Sequence, residues 1–181
     1  MIGANAKDKG KFVYELPKNV VEVHEVFLDD ALRLKDSGKM LHAFTEEETN
    51  SLKELMLCRR PNWEILFRLY HDQKLNPMSF LRSEEFLNIL TCCIKDYPYT
   101  PFADAFHTMR SMLLPVLYLM GSEVPKADVY HAICTGYGGL LACLGGHVYK
   151  KKVLLTEHGI YTREREEEII RAKWVQPAFK K

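Results

Sequence analysis

No stretch of this chain is apolar for long enough to cross a bilayer. The most apolar run, Met112 to Met120, is about half the length a spanning helix needs, and Pro115 interrupts it. No charge of one sign dominates: 25 Lys and Arg stand against 24 Asp and Glu, so the balance gives no reason to expect a nucleic-acid partner. Met1 to Lys11 is small and polar, without the apolar core of a secretory leader, and a cytoplasmic location is the expectation. The five cysteines, Cys58, Cys92, Cys93, Cys134 and Cys143, include no C-x-x-C pair; they are expected as buried free thiols in a reducing compartment. The remaining histidines, His24, His42, His71, His107 and His147, show no metal-ligand spacing, so no metal site is expected. No Ser/His/Asp arrangement, internal repeat or low-complexity tract is present, and no cofactor is implied.

What is present suits one globular core. The chain has 181 residues, 47% apolar and 27% charged, an ordinary composition for a single domain. From Met1 to about Met40 the pattern is short and extended. Phe12-Val13-Tyr14 and Val20-Val21-Glu22-Val23 have strand chemistry, with Pro17 and Asn19 between them. Asp29-Asp30 leads into a short helical piece, Ala31 to Lys35, ended by Ser37-Gly38.

From about Thr45 to Gly121 the chain reads as helix. Thr45-Glu46-Glu47-Glu48 is a capping box, because the Thr hydroxyl and the Glu48 carboxylate can each satisfy a free N–H at a helix start. Asn62 caps a second helix, Trp63 to Asp72. Ser83 opens a third, running to about Lys95. After a turn at Tyr97-Pro98-Tyr99-Thr100-Pro101, a fourth runs from Phe102 to about Met120; its aromatic and Met stripe reads as core.

The last third changes period. Ala127 to Ile133 is a β-prone apolar run, followed by the turn Thr135-Gly136-Tyr137-Gly138-Gly139 and a short helix, Leu140 to Leu144, closed by Gly145-Gly146. Lys152 to Thr156 is a second apolar strand, and a charged helix starts near Thr162. The order is βαβα, the pattern of a parallel sheet covered by helices. A strand-to-strand distance of about 25 residues suits a right-handed crossover. Both strands read as nearly continuous apolar runs, as strands buried on two faces do.

In an open parallel sheet, ligands bind at the carboxyl ends of the strands. Two segments meet that condition: Cys134, Thr135, Gly136 and Tyr137 after the first strand, and Glu157, His158, Gly159 and Tyr161 after the second. The Thr-Gly-Tyr-Gly-Gly turn departs from both G-x-G-x-x-G and the P-loop. Its glycines either let the helix pack close to the strand or expose backbone N–H groups to a hydroxyl or anion. His158 follows a strand directly, where an imidazole can donate to a sugar hydroxyl or sit beside charge developing in a transition state. Arg163 and Arg165 lie at a helix start, where the dipole disfavours cations, so partners are expected: Glu157, Glu164 or a phosphate. His131 lies inside the first strand and reads either as a hydrogen-bonded core residue or as lining the cleft.

The segment Leu154-Leu155-Thr156-Glu157-His158-Gly159-Ile160-Tyr161-Thr162-Arg163-Glu164-Arg165 resembles the signature of PelF-type glycosyltransferases. Ala127 to Ala132, Thr135 to Leu141 and Tyr14 to Val21 match the same family in the same order, so the resemblance covers most of the chain. It implies membership of glycosyltransferase family 4 and a GT-B fold, two Rossmann-like domains around a cleft. This chain would be the N-terminal, acceptor-side half, a parallel sheet with helices on both faces and a helical insertion at about 45–121. The implied activity is retaining hexosyl transfer from UDP-glucose to a saccharide acceptor in Pel-type exopolysaccharide synthesis, without a divalent metal, beside a membrane-associated polysaccharide-synthesis complex. His158 matches a histidine that faces the transferred sugar. Thr135, Gly136, Tyr137, Glu157, Gly159, Tyr161, Arg163 and Arg165 are the implied substrate-binding residues. The nucleotide-sugar domain, with its paired-Glu motif and diphosphate site, is missing from these 181 residues, so this chain alone is expected to be inactive. The alternative is a non-catalytic sugar- or protein-binding module derived from a GT-B half.

Overall fold

The computed structural model describes residues 1–35, 42–96, 100–172 and 175. The expected stops at Ser37-Gly38 and the turn residues 97–99 lie outside them.

The N-terminal segment forms a two-residue parallel ladder, β1 (Ile2–Gly3) with β2 (Val26–Phe27). A 3₁₀ helix, Leu28–Arg33, follows and replaces the short helix expected at Ala31 to Lys35. Phe12-Val13-Tyr14 and Val20 to Val23 do not become strands. Strand chemistry needs a ladder partner, and neither piece has one among the described residues. Val13 and Val21 stand 88% and 98% exposed instead, and Pro17 supplies no ladder N–H.

The helical middle follows its local signals closely. In α1 (Glu46–Met56) the capping box is complete: the Glu48 N–H donates to Thr45 Oγ1 and the Thr45 N–H to Glu48 Oε2, at 3.3 and 3.0 Å. The Glu48 carboxylate is buried and does more than cap. Its Oε2 lies 3.0 Å from His42 Nε2, and its Oε1 accepts from Arg68 at 3.4 Å. Burial pushes the Glu48 carboxyl upward, but the Thr45 amide, His42 and Arg68 outweigh it and hold the group below the usual carboxylate value.

Asn62 caps α2 (Trp63–Phe67), which widens into a π turn, Arg68–Asp72, where the Gln73 N–H reaches back to the Arg68 carbonyl at 2.8 Å. A further short helix, α3 (Pro77–Phe80), is absent from the expectations, although Asn76 before a first-turn proline is a ready start signal. Ser83 caps α4 (Glu84–Cys93), and α5 (Phe102–Met120) has the expected bounds. These helices share one core that includes Leu52, Leu66, Phe80, Phe86, Leu90 and Leu117. No helix among the described residues is long and apolar enough to cross a membrane.

The βαβα order of the last third is present: β3 (Val129–Ala132), α6 (Tyr137–Tyr149), β4 (Lys152–Leu155) and α7 (Tyr161–Arg171). The strands pair in parallel, Val129 with Lys152 through Ala132 with Leu155. The chain is therefore mixed α/β, with two separate two-stranded parallel sheets among its described residues. Leu144 of α6 belongs to the helical core, so α6 ties this unit to the rest.

Gly145 and Gly146 do not end α6; they lie buried inside it. A Cβ at 145 would run into the Tyr130 ring of β3, and one at 146 into Val153 Cγ2 of β4, with the Lys151 carbonyl only 3.1 Å away. The pair thus brings the helix axis down onto both strands. The actual stop is Lys150, in the left-handed region at φ 52°. Gly146→Ala should therefore cost about 2 kcal/mol by overpacking. Gly139→Ala, whose nearest neighbour beyond its own helix is 3.7 Å from the new methyl, should be neutral or stabilise by up to ~1 kcal/mol. Urea denaturation of both variants checks the contrast.

The expectation that both strands are buried on two faces does not hold. On β3, burial alternates: Tyr130 and Ala132 lie under α6, whereas Val129 and His131 face outward. On β4 every residue is exposed, Val153, Leu154 and Leu155 by 42–53%. An apolar run reports what a strand could bury, and α6, although it meets both strands, leaves the β4 side chains largely exposed. The cysteines are free, but only Cys93 is buried; Cys58, Cys92, Cys134 and Cys143 are exposed.

Candidate functional site

The carboxyl ends of β3 and β4 lie side by side because the ladder is parallel and in register. The ladder continues one residue further, with the Thr156 N–H donating to the Ala132 carbonyl at 2.9 Å. Beside it, His131 Nε2 lies 2.8 Å from Thr156 Oγ1. His131 is therefore an exposed residue that pins the two strand ends together, which corrects a core reading. Spacing alone does not reveal this pair; it follows only once the two runs are set parallel in this register.

After β3 the chain turns through Thr135 into Gly136, at φ 75°, which precedes α6 without a side-chain cap. This conformation favours glycine, and space demands it too: a Cβ there would lie 2.5 Å from the Tyr161 hydroxyl. Tyr161, the first residue of α7, thus lies over the start of α6. Tyr137 is half-buried beside it. Burial pushes the Tyr137 phenol up, Arg165 pulls it back, and Tyr161 adds to the rise. Arg165 also donates to Glu168 at 2.7 Å, a bond that, ahead of the neighbouring tyrosines, raises its own pKa.

Thr135, Gly136, Tyr137, Tyr161 and Arg165 are therefore brought into one cluster, from the ends of two helices. The expected partners of the arginines differ from those found. Arg165 takes Glu168, one turn ahead, while Glu164 lies against Gly159. Among the described residues Arg163 makes no side-chain hydrogen bond or ion pair. Glu157, His158 and Gly159 follow β4 in an exposed bend, and neither Glu157 nor His158 has a polar partner among those residues. His158 is thus held by backbone position alone, with both ring nitrogens open to a ligand.

One cavity of about 320 Å³ lies between the Leu28–Leu32 stretch and α5, lined by Asp29, Arg110 and Leu114 among others. Another, of about 450 Å³, lies between Leu87 and the start of α5 near Phe102 and Phe106. Neither reaches the strand ends. Among the described residues no group of three His, Cys, Asp or Glu could hold a metal ion.

Residues 1–181, the whole chain, match a family described as Domain of unknown function (DUF3492). No curated protein and no solved structure matches.

Proposed function

The chain belongs to the DUF3492 family, and from that premise we propose that it is the acceptor-side half of a retaining, nucleotide-sugar-dependent glycosyltransferase with a GT-B fold. The observation that carries the reading is the position of the PelF-like string: its His158 stands exposed, with no polar partner among the described residues, at the carboxyl end of β4, in a parallel βαβα unit. That is the edge at which open α/β sheets bind ligands. In this reading His158 donates a hydrogen bond to the transferred sugar and stabilises charge that develops on it. Thr135, Gly136, Tyr137, Gly159, Tyr161, Arg163 and Arg165 form the surrounding wall.

The donor in this reading is UDP-glucose and the product a Pel-type exopolysaccharide, made at the cytoplasmic side of a membrane-associated complex. Catalysis needs the transition state to be gripped more tightly than the ground state, from both walls of a cleft. In this reading the nucleotide-sugar domain supplies the second wall, so the 181-residue chain turns over no substrate without it. A non-catalytic module is the second reading, favoured by the lack, among the described residues, of a second catalytic group beside His158. A transfer assay with UDP-glucose separates the two. Chain joined to a nucleotide-sugar domain should transfer glucose where the separate chain does not; joined chain that consumes no donor would leave only the binding module.

A further inference from the structure

His158 is the middle of the short span Glu157 to Gly159, which lies between two fixed points. The span itself makes no hydrogen bond among the described residues. After it, the Ile160 carbonyl accepts from the Arg163 and Glu164 N–H groups at 2.9 and 3.1 Å, which ties the chain to the first turn of α7. Before it comes Thr156, which is held twice. Its N–H donates to the Ala132 carbonyl, and its hydroxyl lies 2.8 Å from His131 Nε2.

The second hold follows from the pleat. Side chains alternate along a strand. Tyr130 and Ala132 face α6, and so does Val153, which meets Gly146. His131 and Thr156 therefore share the opposite face. His131 is opposite Leu154 in the ladder, so Thr156, two residues on, is its diagonal neighbour. One backbone bond leaves a chain end free to swivel about it. A second bond, from the side chain to the other strand, fixes the direction in which the chain leaves the ladder.

We propose that His131, acting through Thr156, is a positioning residue: the pair sets the direction in which the chain leaves β4 and so aims His158. Its effect on turnover rests on the transferase reading of His158; its effect on the backbone of residues 157–159 does not.

NMR relaxation of the backbone amides, on the 181-residue chain, reads the second effect directly. The Glu157 and His158 amides should be ordered in wild type, and their order parameters should fall below about 0.6 in His131→Ala and in Thr156→Val. His131→Gln, whose amide can donate or accept near the place of Nε2, should restore them. His131 is exposed, so the fold should survive these changes, and circular dichroism checks that it does. In the chain joined to a nucleotide-sugar domain, His131→Ala should lower kcat by about 10-fold at nearly constant KM, because a small misplacement of a reacting group is costly. In a His158→Ala background the same change should cost nothing further. Order parameters at Glu157 and His158 that ignore both substitutions would overturn the proposal, whether or not the joined chain is active. So would a His131→Gln that behaves as His131→Ala, and so would a loss of kcat that is the same with and without His158. A joined chain that transfers no glucose would instead defeat the transferase reading, and the relaxation result alone would then decide whether the pair holds His158 in place.

Discussion

Replacing His158 with alanine, in the chain joined to its nucleotide-sugar domain, should lower kcat by about 10²- to 10³-fold, the usual loss when one pre-aimed donor to developing charge is removed. KM should change far less, because a group that acts mainly in the transition state contributes little to ground-state binding. Stability should change little as well. His158 lies in an exposed bend, and its side chain makes no polar contact among the described residues, so nothing packed or paired is lost. Steady-state kinetics beside a thermal melt distinguish the outcomes. A rise in KM at constant kcat would make His158 a binding residue only. Unchanged kinetics would remove it from the site.

The largest effect on stability is expected at Glu48. Its carboxylate closes the capping box of α1, bonds His42 and receives Arg68 from the π turn, all in a buried setting. Glu48→Ala leaves the Thr45 amide and Arg68 without their acceptor and opens a small void, so a loss of about 3 kcal/mol is expected in urea denaturation. Glu48→Gln keeps the cap and the shape and should lose about 1 kcal/mol, the charge-assisted part. The pH dependence follows from the direction of the shift. The folded-state carboxyl lies below its ordinary value. Its contribution is therefore complete above the unfolded value, near 4.5, and is lost as pH falls through the folded value. Wild type and Glu48→Gln should converge in stability below that range. A gap that stays constant as the carboxyl protonates would show that charge plays no part.

The local features of this chain are the legible ones. A capping box needs only residues 45 and 48, and a helix such as α5 shows its stripe within its own length, so the order of residues is enough for both. Strands cannot be read that way, because they are completed by a partner elsewhere. Phe12 to Tyr14 and Val20 to Val23 have the right side chains and no ladder. Ile2–Gly3 and Val26–Phe27, which pair, are too short to show a period. Gly145-Gly146 resembles a stop because glycine often ends a helix, yet here it is the surface on which the helix meets β3 and β4. The exposed faces of β4 are illegible for a related reason: an apolar strand looks the same in sequence whether or not its cover is present.

The candidate site is legible in position more than in detail. Parallel βαβα order is enough to place residues 134–137 and 157–161 at one edge. Three contacts at that edge cannot be read from spacing: His131 with Thr156, Tyr161 over Gly136, and Arg165 with Glu168. The first two are long-range. The third is a choice among several acidic residues on one helix, settled by which side of α7 faces Tyr137.

The central claim is that this edge is one wall of a cleft whose other wall is a second domain. The size of the native gene product in its own cell, read by immunoblot with an antibody to this chain, tests it most directly. The account predicts a band far above 21.0 kDa, since a second Rossmann-like domain adds on the order of 150 residues or more. A band at 21.0 kDa, from a product that transfers glucose unaided, would contradict it.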